Sequence, residues 1–358
     1  MSGDVRVGFI GSGFARRVQL PGLALVPGTK PVAVSSGQRA NAEAVARDFQ
    51  LPLVFDDGIE LARSPDVDLV IVSSTPDAHA RYAIAALEAG KHVLCEKPMA
   101  IDAFEAAQMV TASEQHPDSI AWIDHELRYE PNRRRARELI RSNALGELRH
   151  IELSLKPYLR GDGRPQAFDA PWNWWFDAAR GGGILGAVGS HLIDLCRFWC
   201  GSEIRSAAGL AETFVKQRTD EAGQPRAVTA DDFSSCVLQT ASGVIATITL
   251  STVAHHGPGH LGQVTGSEGT LVLSGETKLE LGKGGGPLED VSAPDDLWEQ
   301  TKPNNMWARS FVRLMREMIH VIRGGTPHGE PPPPTFRDGW QVQRVLDAVR
   351  SARGVRLD

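Results

Sequence analysis

The apolar run Val5–Ile10 stops abruptly at Gly11-Ser12-Gly13. A short apolar strand that ends in a Gly-x-Gly turn and then opens a helix is the first piece of a β-α-β unit. The rest of the N-terminal third repeats that alternation. Residues 31–34, 68–73, 91–95 and 120–123 read as further strands, and 68–73 is nearly all Leu, Val and Ile, as expected of a strand buried on both faces. Helical patterns lie between them. Ala80, Ala83, Ile84 and Leu87 recur at i, i+3, i+4, i+7 behind a candidate N-cap, Asp77, and Gly90 closes the helix. Ala103, Ala106, Ala107 and Val110 form a second stripe after Asp102. Strand and helix in rotation predict a parallel sheet with helices on both faces.

The pattern changes near residue 126. A helix is predicted over 133–140 and a strand over 148–155. Beyond 232 the strands follow one another directly: Val244, Ala246, Ile248 and Leu250 alternate with more polar neighbours behind a Ser242-Gly243 turn, and 270–273 and 278–281 flank Gly275. Two closing helices carry stripes at Phe311, Leu314, Met315, Met318, Ile322 and at Val342, Val345, Leu346, Val349. The expected class is therefore α/β: an N-terminal Rossmann doubly wound parallel sheet over 1–125, then an α+β domain over 126–358 with a large open-faced, mainly antiparallel sheet. A chain of 358 residues suits two such domains.

Composition narrows the function. The net charge of −6 argues against nucleic acid as a partner. No apolar run reaches the ~18 residues of a membrane span, and no signal-peptide pattern follows Met1, so the expected location is cytoplasmic. The four cysteines, Cys95, Cys196, Cys200 and Cys236, have no C-x-x-C spacing, and no metal site is expected. Cys196 and Cys200 read as buried thiols. His255, His256 and His260 lack carboxylates at ligand spacing.

The glycine turn predicts dinucleotide binding. Glycines admit the pyrophosphate, and the helix N-terminus offers free N–H groups to it. The third fingerprint position is Arg16 rather than glycine. At the end of the second strand, where a carboxylate would grip the ribose diol of NAD, the stretch is Ser35-Ser36-Gly37-Gln38-Arg39. Hydroxyls and an arginine lean the expectation towards NADP, with NAD as the alternative.

Ser74-Thr75-Pro76-Asp77-Ala78-His79 and Ala89-Gly90-Lys91-His92-Val93-Leu94-Cys95-Glu96-Lys97-Pro98 closely resemble the glucose–fructose oxidoreductase / inositol dehydrogenase / MocA family. Leu127-Arg128-Tyr129-Glu130-Pro131, Gly181-Gly182-Gly183, Gly189-Ser190-His191-Leu192-Ile193-Asp194, Asp338-Gly339 and Ser351-Ala352-Arg353-Gly354 extend the likeness over nearly the whole chain. The resemblance implies an NAD(P)-dependent dehydrogenase or reductase acting on a CH–OH group of a sugar, cyclitol or related polyol. It also implies a homodimer or homotetramer formed through the open sheet. It places Gly11, Ser12, Gly13, Phe14, Ser36, Arg39, Ser74, Thr75, Pro76, His79, Glu96 and Lys97 at the cofactor, and Lys97 and His191 at the chemistry. A lysine at the carboxyl end of a parallel strand is well placed to exchange a proton with a bound substrate.

One position breaks the pattern. The family commonly has an aspartate four residues before the active-site histidine, and here that residue is Ala187. A methyl group cannot hydrogen-bond a substrate hydroxyl, so the substrate class is open. A cofactor-binding sensor without turnover and a non-sugar, dihydrodiol-type dehydrogenase are the alternatives. Arg128, Tyr129, Trp175 and Asp194 are candidate substrate contacts, each with a structural reading beside it: salt bridge, core packing or helix surface. Trp172 and Trp174 offer further aromatic faces.

Overall fold

The computed structural model describes residues 3–156 and 170–352. The motif residues Arg353 and Gly354 lie outside them. The chain divides into two compact units, Met1–Glu130 with Asp295–Trp340, and Pro131–Pro294 with Gln341–Asp358. Neither unit is one continuous segment, whereas the sequence suggests a single cut after residue 125.

The first unit holds six strands: β1 (Val5–Ile10), β2 (Thr29–Ser35), β3 (Leu53–Phe55), β4 (Leu69–Val72), β5 (His92–Cys95) and β6 (Ala121–Ile123). Their spatial order is β3-β2-β1-β4-β5-β6 and every pair is parallel. The order reverses beside β1, and such a switch point opens a crevice at the carboxyl ends of the strands. A π-helical stretch (Ala15–Gln19) runs into α1 (Leu20–Leu23), followed by α2 (Arg39–Phe49), α3 (Gly58–Arg63), α4 (His79–Glu88) and α5 (Ala103–Gln115). Phe9, Ile71 and Leu94 pack on one face of the sheet with Leu20, Leu23 and Val45, while Val70, Val72 and Val93 pack on the other with Leu61, Ala83, Leu87 and Met109.

Two details differ from the sequence reading. β3 is too short, and too close to Pro52, to show periodicity. Asp77 does not cap α4; it sits in a 3-10 turn, Pro76–Ala78, and the helix starts at His79. Asp102 does cap α5, accepting from Glu105 N at 2.8 Å.

The second unit carries α6 (Pro131–Arg141), β7 (Leu148–Lys156), α7 (Ser190–Cys200), β8 (Ile204–Glu212), a small pair β9 (Gln217–Thr219) and β10 (Pro225–Ala227), then β11 (Phe233–Thr240), β12 (Ile245–Ser251), β13 (Gly259–Gly266), β14 (Gly269–Ser274), β15 (Lys278–Lys283) and β16 (Glu289–Asp290). The eight-stranded sheet runs β16-β15-β14-β13-β7-β12-β11-β8 and is antiparallel except for β7 against β12. Alternation sorts the side chains. Ile151, Leu153, Leu238, Ala246, Ile248, Val264 and Leu271 are buried on the helix side, where α6 and α7 pack. Leu210 and Val237 are on the open side, 58% and 50% exposed.

The closing helices are α8 (Met306–Ile322) and α9 (Phe336–Ser351). The sequence assigns both to the second domain. α8 instead belongs to the first unit, where Phe311, Leu314, Met315 and Met318 cover the face of Phe9 and Ile71. No helix among the described residues is long and apolar enough to cross a membrane.

Candidate active site

The register of the parallel sheet fixes which side chains gather at its carboxyl edge. Ile10, Val72, Cys95 and Ile123 share the last paired row, with Ser35 and Phe55 beside them. The next residue of each strand is Asp56, Ser36, Gly11, Ser73, Glu96 and Asp124. The ladder carries on through them: Gly11 N donates to Ser35 O at 2.9 Å, Ser73 N to Ile10 O at 2.7 Å, Glu96 N to Val72 O at 2.9 Å and Asp124 N to Cys95 O at 2.7 Å. By the two-residue repeat this row faces the same way as Phe9, Ile71, Leu94 and Trp122. Six apolar strands thus end in one polar line.

Gln19, from the π-helical stretch, spans the middle of that line. Ser73 Oγ donates to Gln19 Oε1 at 2.5 Å, and Gln19 Nε2 donates to Glu96 Oε1 at 2.9 Å. Glu96 also accepts from Lys97 N at 3.3 Å, and Lys97 Nζ lies 3.9 Å from Glu96 Oε2. Burial pushes the Glu96 carboxyl up, while Lys97, Asp124 and Gln19 hold it down. Asp124 and Glu126 are buried beside it, and both are pushed well above the ordinary carboxylate range by desolvation, with neighbouring carboxyls adding to the effect.

The glycine turn shows two distinct roles. Gly11 has φ +112°, and a Cβ there would fall inside the van der Waals shell of the Ser73 carbonyl. Gly13 is different: nothing lies within 4 Å of where its Cβ would be. Gly11 lets two strand ends approach, and Gly13 leaves an open cradle ahead of a helical N-terminus. Ser12 Oγ and Ser36 Oγ are 2.9 Å apart across its mouth, and Phe14 starts the helical turn. Arg39 is exposed, but its guanidinium is bonded to Glu43 Oε1 at 2.8 Å and Asp56 Oδ1 at 2.5 Å. A carboxylate is therefore present near the second strand after all, one strand further out.

Ser74, Thr75 and Pro76 form the loop after β4, with Ser74 against Gly11. His79 is not available to a cofactor. It is 1% exposed, and its two ring nitrogens face Pro98 O and Ser74 O, each at 3.0 Å. Its pKa is pushed down by burial. The ring ties the loop after β4 to the Lys97-Pro98 loop. Arg128 and Tyr129 also turn inward. Arg128 donates to Asp338 Oδ1 at 3.0 Å and Pro332 O at 3.3 Å, and Tyr129 lies in the core with α8. Both residues are buried, and Arg128 is bonded within the first unit.

In the second unit His191, 1% exposed, sits on α7 behind a π-helical stretch, Leu185–Gly189, that contains Ala187. Each of the three preceding glycines has a local reason, and Gly181 ends a 3-10 turn in the left-handed region at φ +78°. A Cβ at Gly182 would strike Trp175 O, and one at Gly183 (φ +106°) would strike the Asp231 carboxylate. That carboxylate accepts from Leu185 N at 2.7 Å and caps the stretch. Trp175 is half-buried, 6.0 Å from Trp174 between ring centroids. Asp194 turns towards Arg197, 3.3 Å away, and Arg197 grips Glu203 at 2.7 and 2.8 Å. That pairing favours a structural role for Asp194. Lys97 and His191 belong to different units.

Residues 5–124 match the model of the oxidoreductase family with an NAD-binding Rossmann fold, and residues 133–272 match the GFO/IDH/MocA C-terminal domain. Glucose-fructose oxidoreductase domain-containing protein 1 of Mus musculus is 30% identical over 326 residues, covering 88% of this chain and 80% of the relative. The chain belongs to the Gfo/Idh/MocA family of oxidoreductases. An uncharacterised oxidoreductase of Synechocystis sp. is 28% identical over 98% of this chain and 94% of its own. Levoglucosan dehydrogenase, solved with NADH and L-sorbose, shares the fold with a TM-score of 0.84 at 22% identity, covering 97% and 96% of the two chains.

Gly13 and Lys97 both lie in the segment that matches the family's NAD-binding Rossmann fold, and both were legible as motifs. Gln19, Ser73, Asp124, Glu126 and Asp231 were not singled out. The signal that finds the first row is positional: every residue immediately after a buried parallel strand stands at the ligand edge of the sheet.

Proposed function

We propose that the protein is an NAD(P)-dependent dehydrogenase or reductase that moves a hydride between nicotinamide and a secondary alcohol or ketone carbon of a sugar, cyclitol or related polyol. The observation that carries the reading is the polar row at the sheet's carboxyl edge, in which Lys97 stands beside Glu96 in the same unit as the open Gly13 cradle. The cradle fits a pyrophosphate, and Ser12 and Ser36 offer hydroxyls to a ribose. Bound there, the dinucleotide supplies the hydride chemistry. Lys97 exchanges the proton of the substrate hydroxyl, held in place by Glu96, and His191 is the second proton-handling group. The levoglucosan dehydrogenase fold supports a carbohydrate-like substrate.

The lack of a carboxylate over residues 35–39 leans the preference to NADP(H). Arg39 reaches a 2′-phosphate only by leaving Glu43 and Asp56, so Asp56→Ala should tighten NADPH more than NADH and Arg39→Ala should do the reverse, by fluorescence titration. The open sheet face, with Leu210 and Val237 exposed, supports assembly into a homodimer or homotetramer.

A panel of sugars, cyclitols and dihydrodiols with NAD(P)+, and the matching ketones with NAD(P)H, tests the function. Turnover is expected with a polyol or its ketone. Ala187 favours a second reading, a cofactor-binding sensor. Tight cofactor binding without turnover on any member of the panel would support that reading.

A further inference from the structure

Three carboxyls are buried beside Lys97. Glu96, Asp124 and Glu126 are 6%, 0% and 1% exposed, and Lys97 is the cation whose field reaches all three. The buried His125 stands between Asp124 and Glu126 in the chain, and Cys95 is buried beside them, its thiol pushed up by burial and by Glu96 and Asp124. The carboxyls differ in their partners. Glu96 is served by Gln19 Nε2, whose orientation is fixed by Ser73, and by the backbone and ammonium of Lys97. Asp124 stands beside Glu96 in the polar row, one step beyond the Cys95–Ile123 pair, and among the described residues no N–H or O–H group of another residue is bonded to either of its oxygens. Two facing buried carboxyls do not both ionise. The one with donors keeps the charge, and the one without holds the proton.

We propose that Asp124 is a neutral acid donating to the Glu96 carboxylate, and that this pair is the proton store behind Lys97. The proposal rests on the reading that Lys97 exchanges a proton with substrate. In the reducing direction the carbonyl carbon takes the hydride of the reduced nicotinamide, while an N–H bond of the Lys97 ammonium breaks and an O–H bond forms on the substrate oxygen. The amine left behind then takes a proton from the pair: the O–H bond of Asp124 breaks as its proton passes to Glu96, the O–H bond so formed on Glu96 breaks in turn, and the N–H bond of Lys97 is restored. One proton from solvent enters the pair as the store discharges, so the two carboxyls are not left ionised together. In the oxidising direction each transfer reverses, and one proton leaves to solvent. Asp124 is thus a positioning and proton-storing residue that acts through Glu96 and Lys97.

Asp124→Asn separates the store from the hydrogen bond, because the amide still donates to Glu96 but has no transferable proton. The first readout needs neither cofactor nor substrate: carboxyl 13C NMR of the aspartate-labelled apo protein. One resonance, absent from Asp124→Asn, is expected to keep the protonated-carboxyl shift through the neutral range. The second readout is kinetic. Asp124→Asn should lower kcat by about a hundredfold, the low end of what proton-transfer groups contribute, with KM nearly unchanged. An Asp124 resonance that titrates like an ordinary surface carboxyl overturns the proposal. So does an Asp124→Asn enzyme with native kcat and pH profile, since the carboxyl would then be only a hydrogen-bond partner. If no substrate of the panel turns over, the function reading fails, while the NMR titration still decides the protonation of Asp124.

Discussion

Gly11 and Gly13 stand two residues apart and are constrained by different neighbours. The motif was legible in the sequence, but the division of labour was not, because it depends on where the Ser73 carbonyl arrives from another strand. Gly11→Ala forces a side chain against backbone at a positive φ, and should destabilise the fold by at least about 1–3 kcal/mol. Gly13→Val puts its Cβ where no protein atom lies within 4 Å, and should leave Tm nearly unchanged while abolishing cofactor binding. Thermal melts and NAD(P)H fluorescence titration of the two variants check this; equal losses of Tm would contradict it. Lys97 was legible for the same reason as the glycines, through a specific string. Asp124 and Glu126 were hidden because they follow a three-residue strand, and their burial depends on packing that no local pattern shows.

At the scale of elements, the helices that follow the two glycine motifs begin with π-type turns, Ala15–Gln19 and Leu185–Gly189. Such turns are rare and are frequent at functional sites. The first presents Gln19 to the polar row. The second precedes His191 and is pinned by Asp231, a residue from the loop ahead of β11. Burial raises the Asp231 pKa, and the Leu185 N–H opposes that rise. Asp231→Ala removes the cap, and should cost about 0.5–2 kcal/mol and lower turnover through His191. Asp231→Asn, which keeps an acceptor oxygen, should restore most of both. Chemical denaturation and kcat of the two variants measure the effect, and equal behaviour of the two would remove the cap from the account. The sequence showed the glycine triplet but not its reason, since Gly183 makes room for a residue far along the chain. It also missed β3, whose three residues carry no periodicity.

For the whole molecule, the class, the parallel sheet and the open antiparallel sheet were legible from alternating and helical periodicities. The path of the chain was not. The stripe of α8 predicted a buried face without saying which sheet it covers, and it covers the first. That helix helps bury a floor rich in carboxyls, with consequences for global stability. The Glu126 carboxyl is raised in the folded protein by desolvation, so the folded state binds its proton more tightly than the unfolded chain, where a glutamate titrates near ~4.3. The stability linked to that proton is fully present below the unfolded value and is lost as pH rises through the folded one. Tm should therefore decline as pH rises from the acid side through the neutral range, and Glu126→Gln should flatten the decline. Melts across that range test it, and a decline unchanged in the variant would show that Glu126 is ionised in the fold.

The central claim is that this Gfo/Idh/MocA chain performs hydride transfer with Lys97 handling the substrate proton. The most direct measurement is kcat of Lys97→Ala beside the wild type, using the best substrate of the polyol panel, with cofactor dissociation constants alongside. The account predicts a loss of roughly 10²–10⁴-fold in kcat, an intact fold and a small change in cofactor affinity. Near-native turnover by Lys97→Ala would contradict it.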